Sequence, residues 1–329
     1  MDTRTDIPPA LERLLDTISA DEHGNALSAA EEQVELGQRE QAVRRIADGL
    51  YRKWHAGSRR PLGDSYAPRD LTDDDFMRPL ARGLADRRTI SPGWLVHDRT
   101  SAGVIIERDG LRVLAAPGDL SGDIRAGEHV TVAMPSARPT LSPGFFIIDG
   151  ESGTPGSGPG WTMRVYAHLD GAHAHVGARR ALAVLDAAGD PFRMKLLSSR
   201  VAYPRYDGLV IYLEETTGPK RLDEIADALA GCLAGEDVSP FVARLEAGIG
   251  FAWEPTERSW PPQSFGQHRA RIIAEAIVDW AAGPEGPGAS DLAAVVADHL
   301  TIAGVQSSAP WREFVSPPDP WDLAAVPGL

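Results

Sequence analysis

Cysteine occurs once in this chain of 329 residues, at Cys232. A single thiol excludes an internal disulfide and the two- and four-cysteine zinc patterns. Lysine is almost as scarce: Lys53, Lys195 and Lys220 are the only three, and the other 30 of the 33 basic residues are arginine. Long apolar runs are missing too. None approaches roughly 18 residues, so no transmembrane helix is predicted. The opening stretch MDTRTDIPPALERLL has no basic start followed by an apolar run, and so does not read as a signal peptide. The simple expectation is a cytoplasmic protein. Positive charge is short overall: the net charge of −14 argues against general binding to nucleic acid, whose phosphates require a basic surface. No GxSxG element supports a serine hydrolase. The glycine-rich ESGTPGSGPG lacks the GK[ST] ending of a phosphate loop and reads as a linker.

What is present is ordinary in bulk. A hydrophobic content of 43% and a charged content of 24% suit a globular protein with a sizeable core, in one large domain or two smaller ones. The charge is uneven. Residues 1–50 hold 5 Arg against 11 acids, and residues 281–329 hold 1 Arg against 6 acids. Residues 161–205 hold 6 Arg and 1 Lys against 3 Asp. A basic centre in an acidic chain is either chance patterning or a site for a small anion such as a phosphate group.

Leu11, Leu14, Leu15 and Ile18 recur at helical spacing, and a longer helix is expected from about Ser28 to Lys53, with Gly37 as a possible break. GSRRPLGDSYAP is a loop by composition, and LTDDDFMRPLARGLADR offers a short helix with Thr72 as N-cap. Short apolar or alternating runs follow in GWLVHDR, GVIIERDGLRVLAA, EHVTVAM and GFFIIDG, with Asp109-Gly110 marking a hairpin. After the linker come a strand (WTMRVYAHL), a helix from about Ala172 to Ala188, and two further strands (PFRMKLLSS and GLVIYLEE). Helices are then expected over PKRLDEIADALAGCLAG, over SFGQHRARIIAEAIVDWAAG with Ser264 as N-cap and Gly283 as terminator, and over DLAAVVADHLTIAG.

Strand side chains alternate between faces. One face of WTMRVYAHL therefore carries Thr162, Arg164, Tyr166 and His168, and the other carries Met163, Val165, Ala167 and Leu169. In PFRMKLLSS, Arg193 and Lys195 share a face opposite Phe192, Met194 and Leu196. In GLVIYLEE, Tyr212 opposes Leu209, Ile211 and Leu213. If these strands are neighbours, their polar faces converge on one pocket. A lysine inside an apolar strand either snorkels from an edge or is needed as an amine. Lysine can shed its proton when desolvated near other cations, and arginine cannot. Arg193, Arg200 and Arg205 lie close by in sequence. A lone strand histidine such as His168 is commonly structural. His173 and His175 in GAHAH invite a metal, but Asp170 is the only nearby acid, and no metal site is expected. Arg269 and Arg271 stand in the first turns of the SFGQHRAR helix, where backbone N–H groups favour anions and arginine adds bidentate contacts. The alternative there is a capped helix with solvated arginines.

The ordered set SPGFFIIDG, RVYAHL, PFRMKLLSS, YPRYDGLVIYLEE and SFGQHRARIIAEAI resembles the HopA-type type III effector family. A domain of that family also occurs as the lyase partner in class V lanthipeptide and related thioamide-peptide biosynthesis. The likeness runs from about Trp94 to Trp280, and the family is in turn distantly similar to phosphothreonine lyases. The resemblance implies Lys195 as general base, His168 as general acid, and Arg205 and Arg269 as phosphate ligands. In the distant relatives a lysine stands two residues before the acid histidine; here the position is Tyr166. Stabilisation of the substrate carbonyl would pass either to Tyr166 as a neutral donor or to Arg164. Arg164, Arg193 and Tyr212 complete the expected phosphate-binding set.

The expectations are thus an α+β protein with a mixed, mostly antiparallel sheet and flanking helices. An N-terminal helical segment (1–90) precedes a phospholyase-like domain (91–283) and a C-terminal helix and tail (284–329). The expected activity is β-elimination of phosphate from phosphoserine or phosphothreonine in a kinase-phosphorylated precursor peptide, with no cofactor. A separate kinase is the expected partner, since the chain shows no nucleotide-binding motif. The alternatives are an effector-like lyase acting on host phosphoproteins and a non-catalytic phosphopeptide- or kinase-binding protein.

Overall fold

The computed structural model describes residues 6–21, 26–30, 32–58, 71–156, 160–256, 263–283 and 290–321. At its centre is a seven-stranded antiparallel sheet. Its strands are β9 (Ala137–Ser142), β10 (Phe145–Asp149), β11 (Thr162–Ala167), β12 (Phe192–Leu197), β13 (Leu209–Glu214), β14 (Ala243–Glu246) and β15 (Ile249–Trp253), in the order β14-β15-β11-β13-β12-β10-β9. β13 therefore lies between β11 and β12, and the three strands whose polar faces were expected to meet do stand side by side.

The sheet is covered on both faces. On one, Met163, Val165, Met194, Leu196, Leu209, Ile211 and Leu213 join a core with helices α3 (Asp74–Gly83), α4 (Ala174–Ala188) and α5 (Gly218–Leu229). On the other, Tyr166, Val210 and Ala252 pack against α1 (Pro9–Leu15), α2 (Arg39–Leu50), α6 (Phe265–Ala281) and α7 (Leu292–Ile302). This second core draws on both ends of the chain. Its helices cover the β11 and β15 half of the face, so Arg193 and Lys195 on β12 remain half-buried.

The expected helix over Ser28 to Lys53 is corrected. Its first part is β2 (Ala26–Ala29) and β3 (Glu32–Glu35), which join β1 (Ser19–Ala20) in a three-stranded sheet; only α2 is helical, and it runs into a π-helical turn, Tyr51–His55. ALSA and EQVE are good helix formers by propensity, but Leu27, Ala29 and Val34 become buried only in the extended form, and that burial outweighs fractions of a kcal/mol per residue. The N-cap of α3 is also corrected, from Thr72 to Asp73, whose carboxylate accepts from Phe76 N at 2.9 Å. The Asp109-Gly110 hairpin is as expected: both residues have positive φ, 52° and 78°, between β5 (Gly103–Arg108) and β6 (Leu111–Ala115). Together with β4 (Arg88–Thr100), β7 (Leu120–Ser121) and β8 (His129–Pro135) they form a separate five-stranded sheet with a small core around Trp94, Val96 and Ile106. Of the expected loop GSRRPLGDSYAP only Gly57 and Ser58 fall within the described residues, and three residues of the linker (157–159) and the tail beyond 321 lie outside them.

Candidate phosphate site

Strand register sets the geometry. Arg164, Tyr212 and Arg193 are direct cross-strand partners and form one row across β11, β13 and β12. Tyr166, Val210 and Lys195 form the next. Alternation keeps both rows on the same face, and Asp149 of β10 extends the first beyond Arg193. The result is a pocket of about 270 Å³ lined by Arg164, Arg193, Lys195, Tyr212, Thr162, Thr154, Pro155 and Glu254. Four residues singled out from sequence line it together: Arg164, Arg193, Lys195 and Tyr212.

Each cation is held differently. The Lys195 ammonium lies over two aromatic rings, 5.3 Å from the centre of Tyr212 and 5.8 Å from that of Phe145. Arg193 makes a bidentate contact with Asp149 (Nε–Oδ1 2.7 Å, Nη2–Oδ2 3.1 Å), and Arg138 reaches the same fully buried carboxylate at 2.9 Å. Arg164 is buried, packs 4.9 Å from the Tyr212 ring centre, and makes a bidentate pair with Glu254. Burial works against its charge, but Tyr212, Tyr166 and Glu254 hold its pKa well above the ordinary value, so it stays a cation.

Tyr166 is enclosed under Phe265 and His55, and its hydroxyl has no hydrogen-bond partner of good geometry among the described residues. Burial raises its pKa, which keeps it a neutral donor. His168 stands one row beyond, buried, its ring edge-on to Tyr206 at 4.9 Å. It does not line the pocket that holds Lys195. Two strands and one row apart, the two residues have Cα atoms separated by roughly 12 Å from sheet spacings.

Arg205 and Arg269 also lie outside that pocket. Arg205 is paired with Asp207 (2.7 and 2.6 Å) and hydrogen-bonds the Tyr51 hydroxyl, whose pKa burial and Asp207 push up to about 12. Arg269 is fully buried: Nε donates to the Pro310 carbonyl at 2.6 Å and Nη1 meets His268 Nδ1 at 2.6 Å. Desolvation lowers its pKa to about 10. It ties α6 to the C-terminal segment, and Nη2 has no partner among the described residues. Of the GAHAH histidines, His173 pairs with Asp170 at 2.8 Å and His175 packs on Phe76. Among the described residues no group of three His, Cys, Asp or Glu is placed to hold a metal.

Sequence reasoning missed Asp149, Glu254, Tyr51 and His55. Asp149 closes the apolar run GFFIID, so its carboxylate beside Arg193 was a readable signal once the strands were paired. Nothing local marks the other three. They come from a segment after β15 and from the π-helical turn that follows α2.

The fold and the pocket define an α+β protein with an arginine- and lysine-lined pocket on a sheet face. The sequence pattern of the HopA1 effector protein family matches residues 136–312, which includes every residue lining the pocket. This chain belongs to that family. Two solved structures are similar to it. One is the effector protein from Pseudomonas syringae pv. tomato strain DC3000, with 14% identity over 51% of this chain and 62% of the other, and a TM-score of 0.41. The other is the effector protein from Pseudomonas syringae pv. syringae strain 61, with 11% identity over 83% and 92% of the two chains, and a TM-score of 0.48. This chain thus spans about three fifths of the first effector's length. No curated protein matches it.

Proposed function

We propose that this protein is a phosphoserine/phosphothreonine lyase, eliminating phosphate from a phosphorylated peptide to leave dehydroalanine or dehydrobutyrine. The observation that carries the reading is the lysine: an amine shares one pocket with two guanidiniums and a phenol on adjacent strands. A pocket that only held phosphate could be built from arginines alone, and this chain uses arginine ten times as often as lysine.

The chemistry follows from the arrangement. Arg164, Arg193 and the Tyr212 hydroxyl hold the phosphate in the first row. Lys195 takes the α-proton in the second row as general base. Negative charge then builds on the carbonyl oxygen, which the protonated Tyr166 hydroxyl or Arg164 stabilises. The C–O bond breaks, its electrons leave with phosphate, and the Cα–Cβ double bond forms. His168 gives a proton to the departing oxygen. That role requires the peptide to bridge the second and third rows. Arg205, half-buried and paired with Asp207, and Arg269, buried and already bonded, act through the positive field and by holding the loop before β13 and α6 in place.

The expected substrate is a precursor peptide phosphorylated by a separate kinase in a ribosomal-peptide pathway. Membership of an effector family favours a second reading of the substrate, as phosphoproteins of a host. The experiment is Lys195→Ala with a phosphothreonine peptide. Elimination should fall by at least about 10²-fold, the usual contribution of a general base, with phosphopeptide binding retained. Unchanged elimination removes Lys195 from the mechanism. Absence of elimination in the wild type, with binding intact, favours a non-catalytic phosphopeptide-binding protein.

A further inference from the structure

Two carboxylates neutralise the guanidiniums of the pocket, and they are held in opposite ways. Asp149 is built in: it is fully buried, sits within β10, and is shared by Arg193 and Arg138, while its backbone N–H and C=O bond Ser136. Glu254 is not. It follows β15, its side chain is 33% exposed, and among the described residues its carboxylate bonds Arg164 alone. Only its backbone is anchored, by an N–H donated to Thr162 O at 2.9 Å. The arm is long, the backbone is fixed, and the carboxylate borders the cavity.

From this we infer that Glu254 is an exchangeable counter-ion, which the phosphate displaces from Arg164 on binding and which competes for Arg164 as phosphate leaves. The inference rests on the phosphate-site reading above. Arg164 is too buried to stand without an anion at low cost. A phosphate brings up to two negative charges and three acceptor oxygens to the same fork, where the carboxylate brings one charge and two oxygens. A dianion therefore wins the exchange, whereas a peptide carboxylate in the same position gains little over Glu254 itself. Glu254 thus lowers affinity for every anion that takes the fork, by the common cost of its own displacement. It sets a threshold that a phosphate dianion clears and a single carboxylate does not, and it keeps product phosphate from staying bound. Arg193 cannot serve in this way, because Asp149 has no room to move aside.

The test is isothermal calorimetry with inorganic phosphate on the full chain, comparing wild type with Glu254→Gln and Glu254→Asp. Glu254→Gln should bind phosphate roughly tenfold tighter, about the size of effect a partly exposed charge-assisted pair carries. Glu254→Asp keeps the charge but shortens the arm and should fall between the two, which preserves the test if the glutamine variant does not fold. A peptide with glutamate in place of phosphothreonine should gain affinity from Glu254→Gln by about the same factor as the phosphopeptide does, because the displacement cost is common to both. Unchanged or weaker phosphate binding in both folded variants overturns the counter-ion role and leaves the phosphate site standing. No phosphate binding by wild type or either variant overturns the phosphate site itself, and this inference with it.

Discussion

At the scale of single residues, the site is a set of charges whose partners decide what each can do. Asp149 holds two guanidiniums that are each about one third exposed on the side chain. Asp149→Asn should cost about 1–3 kcal/mol, the penalty of leaving charged donors short of an acceptor, and should lower the urea midpoint. His55 makes the opposite case. Its ring is buried beside Tyr166 and Phe241, Nδ1 meets Ser239 Oγ at 3.0 Å, and desolvation lowers its pKa to about 4. Unfolded His55 takes up a proton as pH falls through about 6.5, and the folded residue does so only near 4. The unfolded chain binds the extra proton in that window, so stability present above pH 6.5 is lost on the way down to 4, by on the order of 3 kcal/mol. Chemical denaturation at a series of pH values from 7 to 4 measures it, and His55→Phe should flatten the slope. Alternation within WTMRVYAHL and PFRMKLLSS was enough to put Arg164, Arg193 and Lys195 on the right faces. The carboxylates that neutralise the guanidiniums were not legible in the same way, because pairing across strands and loops is invisible to a local pattern.

At the scale of elements, α6 shows how a helix is fixed by what it packs against. Its start was readable: Ser264 accepts from Gln267 N while the Gln267 side chain accepts from Ser264 N, a full capping box. The meaning of the glycine inside it was not. A Cβ on Gly266 would stand 2.0 Å from His55 Cδ2 and 2.4 Å from Nε2. Propensity alone says Gly266→Ala should stabilise the helix by up to about 1 kcal/mol, yet the clash says it should destabilise by about 1–3 kcal/mol or more. Packing wins, because the His55 ring has Phe241 and Tyr166 around it and nowhere to go. His55→Ala in the same chain should recover part of the loss, and a double-mutant cycle in urea would show the coupling. The short strands β2 and β3 were illegible for a related reason: their residues are helix formers, and only pairing and burial across the N-terminal sheet make them extended.

At the scale of the whole molecule, the distribution of charge and of apolar surface together place the site. The chain is acidic at both ends, and the described helices near each end join the second core, over the half of the sheet carrying Tyr166 and Val210. The uncovered half keeps the basic strands, so a locally cationic pocket opens in a protein of net charge −14. That contrast favours a small anion or a single phosphorylated residue over an extended polyanion. The seven-stranded sheet was largely legible from the runs between Gly144 and Glu214, because each strand shows alternation or a bounded apolar run. β9, β14 and β15 escaped notice, since neither ARPTLS nor FVARLEAGIGFAW carries a clean apolar period and both faces of β15 are buried. Among the described residues no helix is long and apolar enough to cross a membrane.

The most direct test of the central claim is mass spectrometry of a phosphoserine- or phosphothreonine-containing peptide incubated with the protein and EDTA. Loss of phosphoric acid, leaving a dehydrated residue, is expected in the wild type and not in Lys195→Ala. Release of inorganic phosphate with serine or threonine regenerated would contradict that claim, because that product requires water to attack phosphorus rather than a base to remove the α-proton.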